Sequence, residues 1–105
     1  MTRTIGNTFA QESAIVASSL YAGGESIEPD GSSAEATLPD GTTTVILSAE
    51  GGAVYYELNG TDADAASPGY VPEDGFRAVL GVSNLEALFV YAAASVIVHL
   101  EYYQD

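Results

Sequence analysis

The chain has no cysteine and no lysine, and it holds a single histidine and two arginines. Without cysteine it can form neither disulfides nor thiolate metal sites, so a chain of 105 residues must draw its stability from packing, ions or neighbours. Two arginines against 15 aspartates and glutamates leave a formal net charge of −13. Such a surface excludes affinity for the phosphates of nucleic acid. Hydrophobic runs are short as well. The longest, Ala87 to Val98, is twelve residues with one serine, which falls short of a bilayer span and fits a buried segment. The opening Met1-Thr-Arg-Thr-Ile-Gly-Asn-Thr8 has no apolar stretch of the kind a signal peptide needs, so neither secretion by that route nor membrane insertion is expected.

The acid itself points to brine. Self-repulsion of this size destabilises a compact state in dilute buffer and becomes tolerable where salt screens over about 3 Å, as at 1 M. Absence of lysine agrees with a halophile's protein. Disorder is the competing reading of so much acid, but 47% of the residues are hydrophobic and they alternate cleanly. DNA mimicry would need a dense carboxylate stripe, whereas here the acids are scattered through turns.

The alternation defines strands. Residues 45 to 58, Val-Ile-Leu-Ser-Ala-Glu-Gly-Gly-Ala-Val-Tyr-Tyr-Glu-Leu, read as a β-hairpin turning at Gly51-Gly52, with Ala49 facing Val54, Leu47 facing Tyr56 and Val45 facing Leu58. One side of that ribbon is wholly apolar. A strand is also expected over 14–21, followed by a connection beginning at Ala22-Gly-Gly-Glu25. Two Pro-Asp-Gly turns, at 29–31 and 39–41, bracket a short strand over Ala34 to Leu38. Asn59 to Gly75 lacks a period and reads as a seventeen-residue connection ending in the turn Pro72-Glu-Asp-Gly75. Phe76, Ala78 and Leu80 then share one face of a strand, with Arg77 on the other.

The last stretch is contested. Ser83-Asn-Leu-Glu86 matches a helix capping box, while the β-branched and aromatic run from Ser95 to Tyr103 is a strand. Two strands, 86–91 and 95–103, joined through Ala92-Ala-Ala94 are expected; a helix over 84–94 followed by a strand is the alternative. Turn spacing and alternation together predict an all-β domain over 14–105, a small antiparallel β-sandwich of jelly-roll type with about seven strands, preceded by an N-terminal arm over 1–13.

Little in the chain suggests catalysis. His99 stands beside Glu101 with no cysteine or second histidine to complete a zinc site, and no serine lies in a Gly-x-Ser-x-Gly elbow. No enzyme and no cofactor are expected. Asp62, Asp64, Glu73 and Asp74 are the candidate calcium ligands, although the spacing departs from an EF-hand and solvated acids are the simpler reading. Asn59-Gly-Thr61 is a formal glycosylation sequon and also a plain turn signal. Seven tyrosines suit either protein interfaces or stacking on sugar rings. Spread along several strands, they favour the interface: Tyr55, Tyr70 and Tyr103, on outer faces or the long loop, are the candidate interface tyrosines, and Arg3, Ile5 and Phe9 give the arm something to bury or pair against a neighbour.

Gly52-Ala-Val-Tyr-Tyr-Glu-Leu-Asn-Gly60, Ser67-Pro-Gly-Tyr-Val-Pro72, Asn84-Leu85 and the closing Val98-His-Leu-Glu-Tyr-Tyr103 give residues 43 to 103 a general pattern that resembles small β-sandwich structural proteins of tailed-virus particles. With the acidic, lysine-free surface it is similar to such proteins from viruses of halophilic archaea. The resemblance implies a subunit of a virion, assembled in the host cytoplasm and placed on the capsid exterior as a decoration or vertex turret, or in the tail or connector. Its partners would be copies of itself and a major capsid or other virion protein. The other class is a carbohydrate-binding β-sandwich for host attachment.

Overall fold

The computed structural model describes residues 20–104, which form eight strands and no helix. In chain order these are β1 (Leu20–Ile27), β2 (Ser33–Glu35), β3 (Thr42–Glu50), β4 (Val54–Leu58), β5 (Gly69–Val71), β6 (Phe76–Val79), β7 (Leu88–Tyr91) and β8 (Ile97–Gln104). They make two four-stranded antiparallel sheets, ordered β1-β8-β3-β6 and β2-β7-β4-β5. The first four strands pair with the last four in reverse order, β1 with β8, β2 with β7, β3 with β6 and β4 with β5. A ribbon so paired and rolled up on itself is a jelly roll, closed by the further pairs β3–β8 and β4–β7. The all-β sandwich expected from the alternation is present, with eight strands in place of about seven.

Period-two alternation supplies the inner layer. Val45, Leu47 and Ala49 of β3, Val54 and Tyr56 of β4, Leu88 and Val90 of β7, and Val98, Leu100 and Tyr102 of β8 are all buried. A fully covered leucine such as Leu47 contributes about 1.5–3 kcal/mol through area removed from water.

The expected hairpin at Gly51-Gly52 does not form. Its two strands lie in different sheets, so Leu47 and Tyr56 meet the same core from opposite sides rather than pairing within one ribbon. Gly51 takes a positive φ of 91°, and a Cβ on Gly52 would come within 2.6 Å of Val96 Cγ2. The two glycines thus let the β3–β4 corner pack against the β7–β8 corner.

That second corner also joins two sheets. Ser95, at φ 69°, supplies the turn that no glycine or proline announced, and β7 and β8 are the two strands expected over 86–91 and 95–103, in place of the alternative helix over 84–94. All three proline turns form, with Pro29, Pro39 and Pro72 carbonyls accepting from the N–H groups of Ser32, Thr42 and Gly75. The long connection is divided: β5 lies inside it, and the 59–68 segment is the bend of the rolled ribbon.

Most of the strand expected over 14–21 lies outside the described residues, as do the arm and Arg3, Ile5 and Phe9. The described strand β1 runs on through Ala22-Gly-Gly-Glu25, where a connection was expected. Pairing with β8 overrides the low strand preference of glycine. Gly23, at φ 128°, follows a register shift after Tyr21, and a Cβ on Gly24 would stand 2.7 Å from the Leu100 carbonyl oxygen.

Gly69 pairs with Tyr56, and a Cβ there would fall 2.5 Å from two atoms of the Tyr56 ring. Gly69→Ala is therefore expected to cost about 1–3 kcal/mol by overpacking. Urea unfolding in concentrated salt measures it against Gly60→Ala, whose new Cβ would have ordinary contacts at 3.5 Å or more. Equal midpoints for the two variants would refute this packing account.

Candidate functional site

The outer face of the β2-β7-β4-β5 sheet is aromatic. Register places Tyr55 opposite Tyr70 on one side and Tyr91 on the other, and the row ends at Ser33 on β2. Ring centroids step 5.4 Å from Tyr70 to Tyr55 and 6.3 Å on to Tyr91, with successive rings tilted by 55° and 47°. A second row, two residues along the strands, sets Phe89 between Glu35 and Glu57. Ser33 Oγ accepts the Ala63 N–H at 2.9 Å, so the 59–68 connection reaches across to β2 and engages the Ser33 end of the tyrosine row. The other end, Tyr70 at the sheet edge, is open and 46% exposed. Of the tyrosines expected on outer surfaces, Tyr55 and Tyr70 come together; Tyr103 lies on the other sheet, where its ring packs on Tyr21 at 5.6 Å. Tyr91 completes the row and was not singled out by sequence, because only the β4–β7 register places it there.

The outer face of the β1-β8-β3-β6 sheet carries a hydrogen-bonded chain. Ser26 Oγ lies 2.8 Å from His99 Nδ1, and His99 Nε2 lies 2.7 Å from Glu50 Oε1. In the neutral ring, Nε2–H donates to Glu50 and Nδ1 accepts the serine proton; in the protonated ring both nitrogens donate. Three strands are linked in either state. The order hydroxyl, imidazole, carboxylate is that of a serine nucleophile relay, with the two ring nitrogens exchanged. His99 and Glu50 side chains are, however, 45% and 62% exposed on an open sheet, so water competes for each bond. The expected neighbour, Glu101, instead takes a long bond of 3.4 Å from Tyr103 O–H. Cross-strand register, invisible in the local sequence, gave His99 its actual partners.

On the same face, Phe76 is 65% exposed and Leu80 38%. Phe76 pairs with Ser48 and Ala78 with Ile46, making an apolar strip along β6 and β3 that is bordered by Glu101, opposite Ile46 on β8, and by Glu50, two residues beyond Ser48 on β3. As alternation predicts, Arg77 points the other way, and its Nε donates to Tyr56 Oη at 3.3 Å.

The acids proposed for calcium have local roles or stand apart. Asp64 Oδ1 accepts the Ala66 N–H at 2.8 Å, and Asp74 takes the positive-φ position of the Pro72 turn. Among the described residues, no three histidine, aspartate or glutamate side chains gather where they could hold a metal ion. Asn59 is used structurally: its Oδ1 accepts from Glu86 and Ala87 N–H, and its Nδ2 donates to the Asn84 carbonyl. Among the described residues there is no helix long and apolar enough to cross a membrane.

Comparison with protein-family models, curated proteins and solved structures returned no match. The likeness to virion proteins therefore rests on the residue pattern of 43 to 103.

One buried polar contact governs pH response. Tyr102 O–H donates to Glu25, which also accepts the Thr37 N–H at 2.7 Å, tying β1, β8 and the β2–β3 connection together. Burial, then the hydrogen bond and charge of Glu25, hold the Tyr102 phenol well above its ordinary pKa. The unfolded chain loses this proton near pH 10 while the folded chain keeps it, so stability is full below that pH and falls as pH rises through it. Tyr102→Phe is expected to lose about 1 kcal/mol near neutrality and to show a shallower alkaline limb. Unfolding midpoints measured from pH 8 to 11 check this, and parallel curves for the two proteins would contradict it.

Proposed function

We propose that the chain is a non-catalytic structural subunit, a symmetric homo-oligomer built for brine that takes its place on the exterior of a tailed-virus particle. The observation that carries this is the strip of Phe76, Leu80, Ile46 and Ala78. Phe76 and Leu80 are exposed at its β6 edge, on a chain of net charge −13, with Glu101 and Glu50 along its inner border. Burying Phe76 and Leu80 against a second copy gives the contact its apolar driving force, and concentrated salt screens the glutamates that border it. The jelly roll supports the same reading by fold-level analogy, since viral capsid domains are among its recurrent uses; lectins are another, so the analogy does not by itself assign the role.

Molar mass by light scattering behind size exclusion, in about 3 M and about 0.1 M salt, tests the assembly, the two concentrations differing severalfold in screening length. A defined oligomer is expected at high salt, weakening at low salt, and Phe76→Asp should shift it to monomer with an unchanged circular dichroism spectrum. A wild-type monomer in both buffers would refute the proposal. For the absence of catalysis, a serine-directed fluorophosphonate is expected to leave Ser26 unlabelled. A stoichiometric adduct at Ser26 that vanishes in His99→Ala would make the relay a working nucleophile.

A further inference from the structure

We propose that the outer face of the β2-β7-β4-β5 sheet is a binding site for a neutral glycan, laid along the Tyr70, Tyr55 and Tyr91 row and entering from the Tyr70 edge. Three features of the face select that ligand. First, the row runs across the strands, its cross-strand steps of 5.4 and 6.3 Å leaving the rings in contact with one another, so it offers a continuous aromatic surface to a chain laid across the sheet. A peptide adding to this sheet would instead use the backbone groups of an edge strand. Second, tyrosine offers both an apolar ring for the C–H face of a sugar and a hydroxyl for its polar rim. The successive tilts of 55° and 47° suit a glycan whose residues turn along the chain rather than a flat crystalline one.

Third, the charges nearby are complementary to hydroxyl donors. Glu57 and Glu35 flank Phe89 in the adjacent row, and carboxylates accept hydrogen bonds from sugar hydroxyls. Arg77, the one arginine among the described residues, is turned toward Tyr56 on the inner side. Uronic and sulfated sugars would therefore meet acid without a counter-charge. Because the 59–68 connection engages Ser33 at the far end of the row, the site opens at the sheet edge, where Tyr70 is most exposed. This surface lies on the sheet opposite to the Phe76 strip, so glycan binding and self-association can be lost separately.

The test uses the full chain, in about 3 M and about 0.1 M salt to span the screening range, against immobilised neutral glucan, mannan, galactan and xylan. Alginate serves as an acidic glycan and an oligo-arginine peptide as a cationic probe. Retention on at least one neutral glycan is expected, with Tyr70→Ala and Tyr55→Ala each weakening it about tenfold, the loss of one aromatic contact. Tyr103→Ala, on the other sheet, should bind as the parent does. Circular dichroism confirms that the variants fold. Retention by none of the neutral glycans, undiminished retention of Tyr70→Ala, or binding to alginate or oligo-arginine alone would each overturn the proposal. The last would make the face a cationic-peptide site. Light scattering of Tyr70→Ala should return the parent's molar mass, so an oligomer that survives while glycan binding fails identifies which of the two proposals has fallen.

Discussion

Everything in this fold depends on a single apolar layer between two small sheets. Eight short strands, none longer than nine residues, can each cover one face only, and no disulfide or helix among the described residues shares the work. Rolling a paired ribbon satisfies the constraint, because nearly every connection then carries the chain from one sheet to the other and turns the next apolar face inward. The corners become critical. Gly51, Gly52 and Ser95 occupy adjoining corners where the backbone bends sharply and side chains must be small.

This explains what could be read from the residues and what could not. Which side of each strand is buried follows from alternation, and Val45, Leu47, Ala49, Val54 and Tyr56 do share one core. Which strand lies beside which does not follow. An in-plane hairpin at Gly51-Gly52 and a corner between facing sheets bury the same residues, so the hydrophobic pattern is equally satisfied by both. Glycine was the expected residue in either case, once for turn conformation and once for close approach to Val96. The proline turns were legible because their mechanism is local: proline sets φ and the following Asp-Gly accepts a positive one.

The site residues divide along the same line. Tyr55 and Tyr70 could be assigned to an outer surface one strand at a time. Joining them to Tyr91, or Ser26 and Glu50 to His99, requires register across strands separated by tens of residues. A capping box at Ser83 pointed toward a helix because it is a local signal. It lost to the pairing of Leu88–Tyr91 with β4 and β2, where Leu88 and Val90 are fully buried.

Where the acids stand bears on function as well as on solubility. Asp30, Asp40, Asp62, Asp64, Glu73 and Asp74 sit in connections, at the ends and margins of the sandwich. Repulsion among the acids is therefore concentrated at the turns, and salt screens it there. The strand faces keep fewer charges, and both outer faces set aromatic rings beside carboxylates: Tyr21, Tyr103 and Phe76 with Glu50 and Glu101 on one, the row of Tyr70, Tyr55 and Tyr91 with Glu35 and Glu57 on the other. Apolar groups free of polar tips are suited to being buried against a like surface, whereas tyrosines beside acceptors are suited to a ligand that is itself half apolar and half hydroxyl. Phe76 with Leu80 and the row of Tyr70, Tyr55 and Tyr91 lie on opposite sides of one core, so what either surface does can be altered without touching the residues of the other.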